Sequence, residues 1–255
     1  MDRPEIVNPQ AEKPHPVGRA YSPEERAAIL STSGLLTRLL KERWLLFDEI
    51  QEKRELGAKT AAFLAAAALL GATYGVAMGA FGFSRMPLQT AVAAAKVPLL
   101  LLGSLAFCLP ALYVFNVLLG SKMTFLQVFT LLAMSTAVMA IVLGALAPIT
   151  LFCVLSGMSY DFVVFENVLA FMVAGYFGLD YLWKAMRRIA AARGGDRDLT
   201  ILAAWIGIYC LLAAQLAWTM RPFIGAPSRD FEIFRGLGGT FFEAFWQILK
   251  SLTGS

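Results

Sequence analysis

The sequence predicts an all-α fold: a polytopic helical membrane protein with about five transmembrane helices, an amphipathic cytoplasmic helix before them and a short interfacial helix after them. Three observations carry that expectation. Residues 60–83 contain no charge, and Lys59 and Arg85 stand just outside them; a helix needs about 20 apolar residues, rising about 1.5 Å each, to cross about 30 Å of hydrocarbon. Hydrophobic residues make up 58% of the 255-residue chain and charged residues 16%, where a soluble domain carries about 25% charge. The apolar runs are also unbroken on both faces, which argues against the alternating strands of a membrane barrel.

Residues 1–21 hold Pro4, Pro9, Pro14 and Pro16 among polar residues, with no apolar periodicity and no signal-peptide core, and read as a disordered cytoplasmic tail. Ser22, Pro23 and Glu25 then form a capping-box signature, so residues 22–57 are expected to be a basic amphipathic helix, interrupted near residues 31–34. Leu36, Leu39, Leu40, Phe47 and Ile50 recur at helical spacing beside Arg38, Lys41, Arg43, Lys53 and Arg54. Two roles fit this pattern: the cations contact lipid headgroups of an anionic leaflet, or the apolar face packs on the spans or on another subunit.

The five-span domain is expected over residues 58–222. Gly71, Gly75 and Gly79 share one face of the first span, a small-residue series that lets another backbone approach closely. The second span, about residues 91–119, carries Lys96, Pro98, Pro110 and Asn116. Pro98 is expected near its start, Pro110 as an interior kink, and Lys96 reaching for the interface. The third, about residues 125–146, runs on through Pro148 with a kinked or partly unwound exit. The fourth, about residues 162–183, begins with Glu166 and Asn167 and ends near Asp180. Those two carboxylates are 14 positions apart, about 21 Å along a helix, and so share neither a proton nor a metal ion. The fifth, about residues 199–220, contains Gln215, with Trp205 and Trp218 placed like interfacial anchors. Residues 223–255 include a short apolar segment from Phe241 to Leu249, read as an interfacial helix lying on the membrane on the outer side or packing against the spans.

Charge sets the expected orientation. With the N-terminus inside, the inner segments hold 16 of the Lys and Arg residues and the outer segments six, so the positive-inside rule places the N-terminus in the cytoplasm and the C-terminus outside. Function classes fall away by composition. The single histidine, His15, lies in the tail, which leaves no imidazole for a haem, a zinc site or a Ser-His protease within the spans. No phosphate-binding loop and no CxxC pair occurs, and Cys108, Cys153 and Cys210 read as small core residues. The expectation is a non-enzymatic chain with no cofactor, and with no nucleic-acid partner, since the positive-inside bias accounts for the basic loops.

In architecture the chain resembles the Yip1-type membrane proteins: a polar N-terminal region followed by close-set spans over about residues 55–222. Phe115 to Lys122, Ala147 to Thr150 and Ala217 to Gly225 are similar to segments of a bacterial family of uncharacterised polytopic proteins, some labelled as actin-binding WH2-domain proteins. The run Lys53, Arg54, Glu55, Leu56 does not reproduce a WH2 motif. What the resemblance implies is a bacterial inner-membrane location, and it transfers no catalytic residue.

Two functions are then expected to compete. One is a scaffold or subunit of a larger inner-membrane assembly, contacting lipids and a protein partner or further copies of itself. The other is an oligomeric channel or transporter with a polar pathway lined by Asn116, Glu166, Asn167, Asp180 and Gln215.

Overall fold

The computed structural model describes residues 32–83, 87–118, 123–191, 200–221 and 223–224, and among these there is no strand. The helices are α1 (Thr32–Lys41), α2 (Arg43–Gln51), α3 (Leu56–Gly79) with a 3-10 turn at Ala80–Gly82, α4 (Pro87–Leu118), α5 (Phe125–Leu155), α6 (Tyr160–Ala191) and α7 (Thr200–Thr219). Four stretches are long and apolar enough to cross a membrane: Leu56–Gly82, Pro87–Val114, Phe125–Leu155 and Tyr160–Arg188. The shorter α7 is apolar as well, over Ala203–Thr219. The chain is a multi-pass helical membrane protein.

The helix expected over residues 22–57 is two helices within the described residues; its proposed cap at Ser22 lies outside them. The break falls at Glu42, later than the expected interruption, and Leu45 and Leu46 donate to the Glu42 carbonyl to restart the helix. The break has a physical use. On one straight helix Arg38 and Glu49 would be about 16 Å apart, whereas the bend lets them pair at 2.6 Å. It also turns Leu35 and Leu39 of α1 and Leu46, Phe47 and Ile50 of α2 toward a common core.

α3 and α5 lie side by side at the centre, with α4 against α3, α6 against α5 and α7 on α4. α5 is the most enclosed: Leu131–Ala140 are buried without a break. Its start is a full capping box. Thr124 Oγ1 accepts from the Gln127 backbone N–H, and Gln127 Oε1 accepts from the Thr124 N–H. The predicted unwinding after residue 146 does not occur, because α5 continues through Pro148 to Leu155. Pro98 lies eleven residues inside α4 and not at its start. Proline forfeits one backbone bond in such a position, and neighbouring helices and side chains make this tolerable inside a membrane bundle.

The glycines of α3 explain how close α4 comes. A Cβ on Gly75 would stand 2.5 Å from the Ala93 carbonyl oxygen and one on Gly79 2.7 Å from Thr90 Cα. Thr90 uses that proximity to donate to the Gly79 carbonyl at 2.9 Å.

Candidate functional site

Polar side chains gather at two ends of the bundle. At the proximal end, where α1 and α2 dock, Glu49 is the hub. Its Oε1 lies 2.6 Å from Arg38 Nη2 and its Oε2 2.6 Å from Lys59 Nζ, with all three side chains buried. Burial pushes the Glu49 carboxyl up, but the hydrogen bonds and charges of Arg38 and Lys59 outweigh it and hold the group below its ordinary value. Lys59 also donates to the Arg54 carbonyl at 2.9 Å, within a turn where Lys53 (φ 61°) and Glu55 (φ 48°) are left-handed. Gln127 reaches across from α5 and donates to the carbonyls of Ile50 and Gln51, both at 3.0 Å, capping α2 while it caps its own helix. On the other side Arg188 of α6 forms a two-point pair with Asp48 at 2.9 and 2.8 Å, and Tyr181 donates to the Leu39 carbonyl.

The cations proposed for lipid headgroups are therefore not equivalent. Arg38 is buried against Glu49, Arg54 pairs with Glu52, and Arg43 lies 4.7 Å from the Trp44 ring centroid. Lys41 and Lys53 are exposed. Leu35, Leu39, Leu46, Phe47 and Ile50 pack into the core while Leu40 stays exposed, so these helices dock on the bundle.

At the distal end, a second group links three spans. Tyr74 of α3 donates its hydroxyl to Asn167 Oδ1 at 2.7 Å, and Asn167 Nδ2 donates to the Val163 carbonyl at 2.7 Å and to Glu166 Oε2 at 3.1 Å. Thr150 of α5 donates to Glu166 Oε1 at 2.9 Å. Tyr74, Thr150 and Asn167 are buried and Glu166 is half-buried. Phe171 closes the group with its ring edge-on to Tyr74.

The five residues of the expected polar pathway do not come together. Glu166 and Asn167 share the distal group, whereas Asp180 pairs within its own helix with Lys184 at 2.5 Å. Gln215 is exposed on α7, and the side chain of Asn116 on α4 lies outside the described residues. Compared with protein-family models, curated proteins and solved structures, the chain matches none. Among the described residues no three His, Cys, Asp or Glu side chains gather as a metal site.

Other expectations need correction. Lys96 is buried, its Nζ 5.7 Å from the Phe223 ring centroid, instead of snorkelling to water. Trp205 belongs to the core and is no interfacial anchor, while Trp218 sits beneath the Arg221 guanidinium. Cys108 and Cys153 are buried, but Cys210 is exposed on α7. Tyr74 and Gln127 were not singled out by sequence. The signals were there: a phenol deep in an apolar span needs a polar partner, and Thr124 to Gln127 has capping-box spacing.

Proposed function

We propose that the chain is a non-enzymatic scaffold or subunit of a larger assembly in the bacterial inner membrane, contacting lipids and a protein partner or further copies of itself. One observation carries this reading: among the described residues, Glu166, Asn167 and Asp180 bond to near neighbours at separate places and are not brought together with Gln215 on one route. Glu166 and Asn167 close a group with Tyr74 and Thr150, and Asp180 closes a pair with Lys184. The Tyr74–Asn167 and Thr150–Glu166 bonds cross between helices and fix their register, as polar contacts between spans do. The docked helices α1 and α2 leave Leu40, Lys41 and Lys53 exposed on the proximal side, where a partner or headgroups make contact.

The test is purification of the tagged chain from its native membrane in mild detergent, with mass spectrometry of what accompanies it, and reconstitution in liposomes. A stoichiometric protein partner, together with no ion or solute flux, supports the scaffold. Flux that disappears in Glu166→Gln or Asp180→Asn overturns it in favour of the channel. For a scaffold, both variants express and assemble at near wild-type levels.

A further inference from the structure

We propose that the Glu166 carboxyl is a proton-binding site, and that the side chains around it accommodate both its ionised and its un-ionised form. Geometry carries this. In the ionised form each oxygen accepts one bond, Oε1 from Thr150 Oγ1 at 2.9 Å and Oε2 from Asn167 Nδ2 at 3.1 Å. Among the described residues Glu166 has no ion pair. α5 has no charged residue, and the one cation of α3, Lys59, lies 15 positions from Tyr74, about 22 Å along the axis. A carboxylate at membrane depth that forms no ion pair among the described residues is the kind of group that works by exchanging a proton.

The un-ionised form fits the same frame. Thr150 Oγ1 also lies 3.5 Å from the Leu146 carbonyl and 3.5 Å from the Tyr74 hydroxyl. When a proton binds Oε1, the new Glu166 O–H donates to Thr150 Oγ1, and the Thr150 hydroxyl rotates to donate to Leu146. Oε2 keeps the Asn167 bond. Asn167 cannot flip without loss, since Tyr74 holds its oxygen and Val163 its nitrogen. One proton enters, one hydroxyl turns, and no polar atom loses its partner.

Access comes from the distal surface. Glu166 is half-buried and six residues from the start of α6, about 9 Å along it, while its two partners, Thr150 and Asn167, are buried. The titratable groups of the helices packed here are Tyr74 of α3, Cys153 of α5 and Tyr160 and Asp161 of α6 itself. Lys96 of α4 is at the same level, between the contacts of Ala93 with Gly75 and Pro98 with Gly71, and lies over Phe223.

The test uses the full chain in lipid nanodiscs and dicyclohexylcarbodiimide, an apolar reagent for un-ionised carboxyls. The acid proton passes to one carbodiimide nitrogen, the carboxyl oxygen adds to the central carbon, and the acyl group migrates to nitrogen to leave a stable acylurea with no atom lost. Peptide mass spectrometry is expected to find the adduct on Glu166 and little on Asp180, with labelling falling about tenfold per pH unit above its midpoint. A pH-difference infrared spectrum is expected to show an un-ionised carboxyl C=O band that Glu166→Gln removes and Thr150→Val moves. No Glu166 adduct at any pH, in a sample whose exposed Asp161 reacts with a water-soluble carbodiimide and glycine methyl ester, overturns the proposal. Protection of Glu166 by sodium at constant pH overturns it too, since the site then takes a metal cation. The proposal does not depend on whether the chain has a partner.

Discussion

Arg38 and Lys59 share one acid, and neutralising Glu49 leaves two buried cations facing each other. Glu49→Gln is expected to destabilise the docking of α1 and α2 by about 3 kcal/mol, seen as faster proteolysis or hydrogen exchange over residues 32–55 with the spans unchanged. The pH dependence has a definite sign. The folded state holds the Glu49 carboxyl below its ordinary value, so this stabilisation is complete above the ordinary carboxylate range and is lost as pH falls through the lowered value. Acidification from neutral pH therefore loosens the proximal end only once it passes below that range. Gln127→Ala removes two carbonyl caps and half of a capping box, and a loss of about 2 kcal/mol in thermal unfolding is expected. Legibility divides at this scale by distance along the chain. The Thr124 and Gln127 box is local and readable from spacing, but Tyr74 and Asn167 are 93 positions apart, and nothing in either span's composition names the other.

At the scale of elements, the apolar runs placed the starts of four spans and of α7 to within a few residues, because a helix that crosses lipid must be continuous in apolarity, while α5 and α6 run eight or nine residues past the expected ends. The N-terminal helices were harder. Their periodicity shows an apolar face and not what covers it, and the break at Glu42 follows from a pairing across the bend that no local propensity encodes. Of the two exits expected at Pro148, the unwound one does not occur: proline's cost inside a helix depends on what surrounds it, and Pro148 stays within α5. The glycine face of α3 was legible as a packing surface, but not that α4 would be its occupant. Gly75→Leu drives a side chain into the α4 backbone at Ala93 and Ala94. Its melting temperature in detergent is expected to drop by several degrees, while Gly57→Leu, which meets nothing within 4 Å, leaves it unchanged.

At the scale of the whole molecule, the Lys and Arg census remains an expectation about sidedness, and reporter fusions check it: a fusion at residue 255 is expected to be active outside and one at residue 57 inside. The long helix α6 bears on how the two polar ends communicate. Its 32 residues extend about 48 Å against about 30 Å of hydrocarbon, so it is longer than a membrane requires. Asn167 sits near one of its ends, while Tyr181 and Arg188 hold α1 and α2 near the other. A stiff rod with both ends engaged acts as a lever. Asn167 and Arg188 are 21 positions apart, about 32 Å, so a tilt of about 6° at the Tyr74 group displaces the Asp48 contact by about 3 Å, roughly the length of one hydrogen bond. One continuous helix thus ties the Tyr74 group to the Asp48 contact, and by this geometry a small tilt at the first is a hydrogen-bond-length shift at the second.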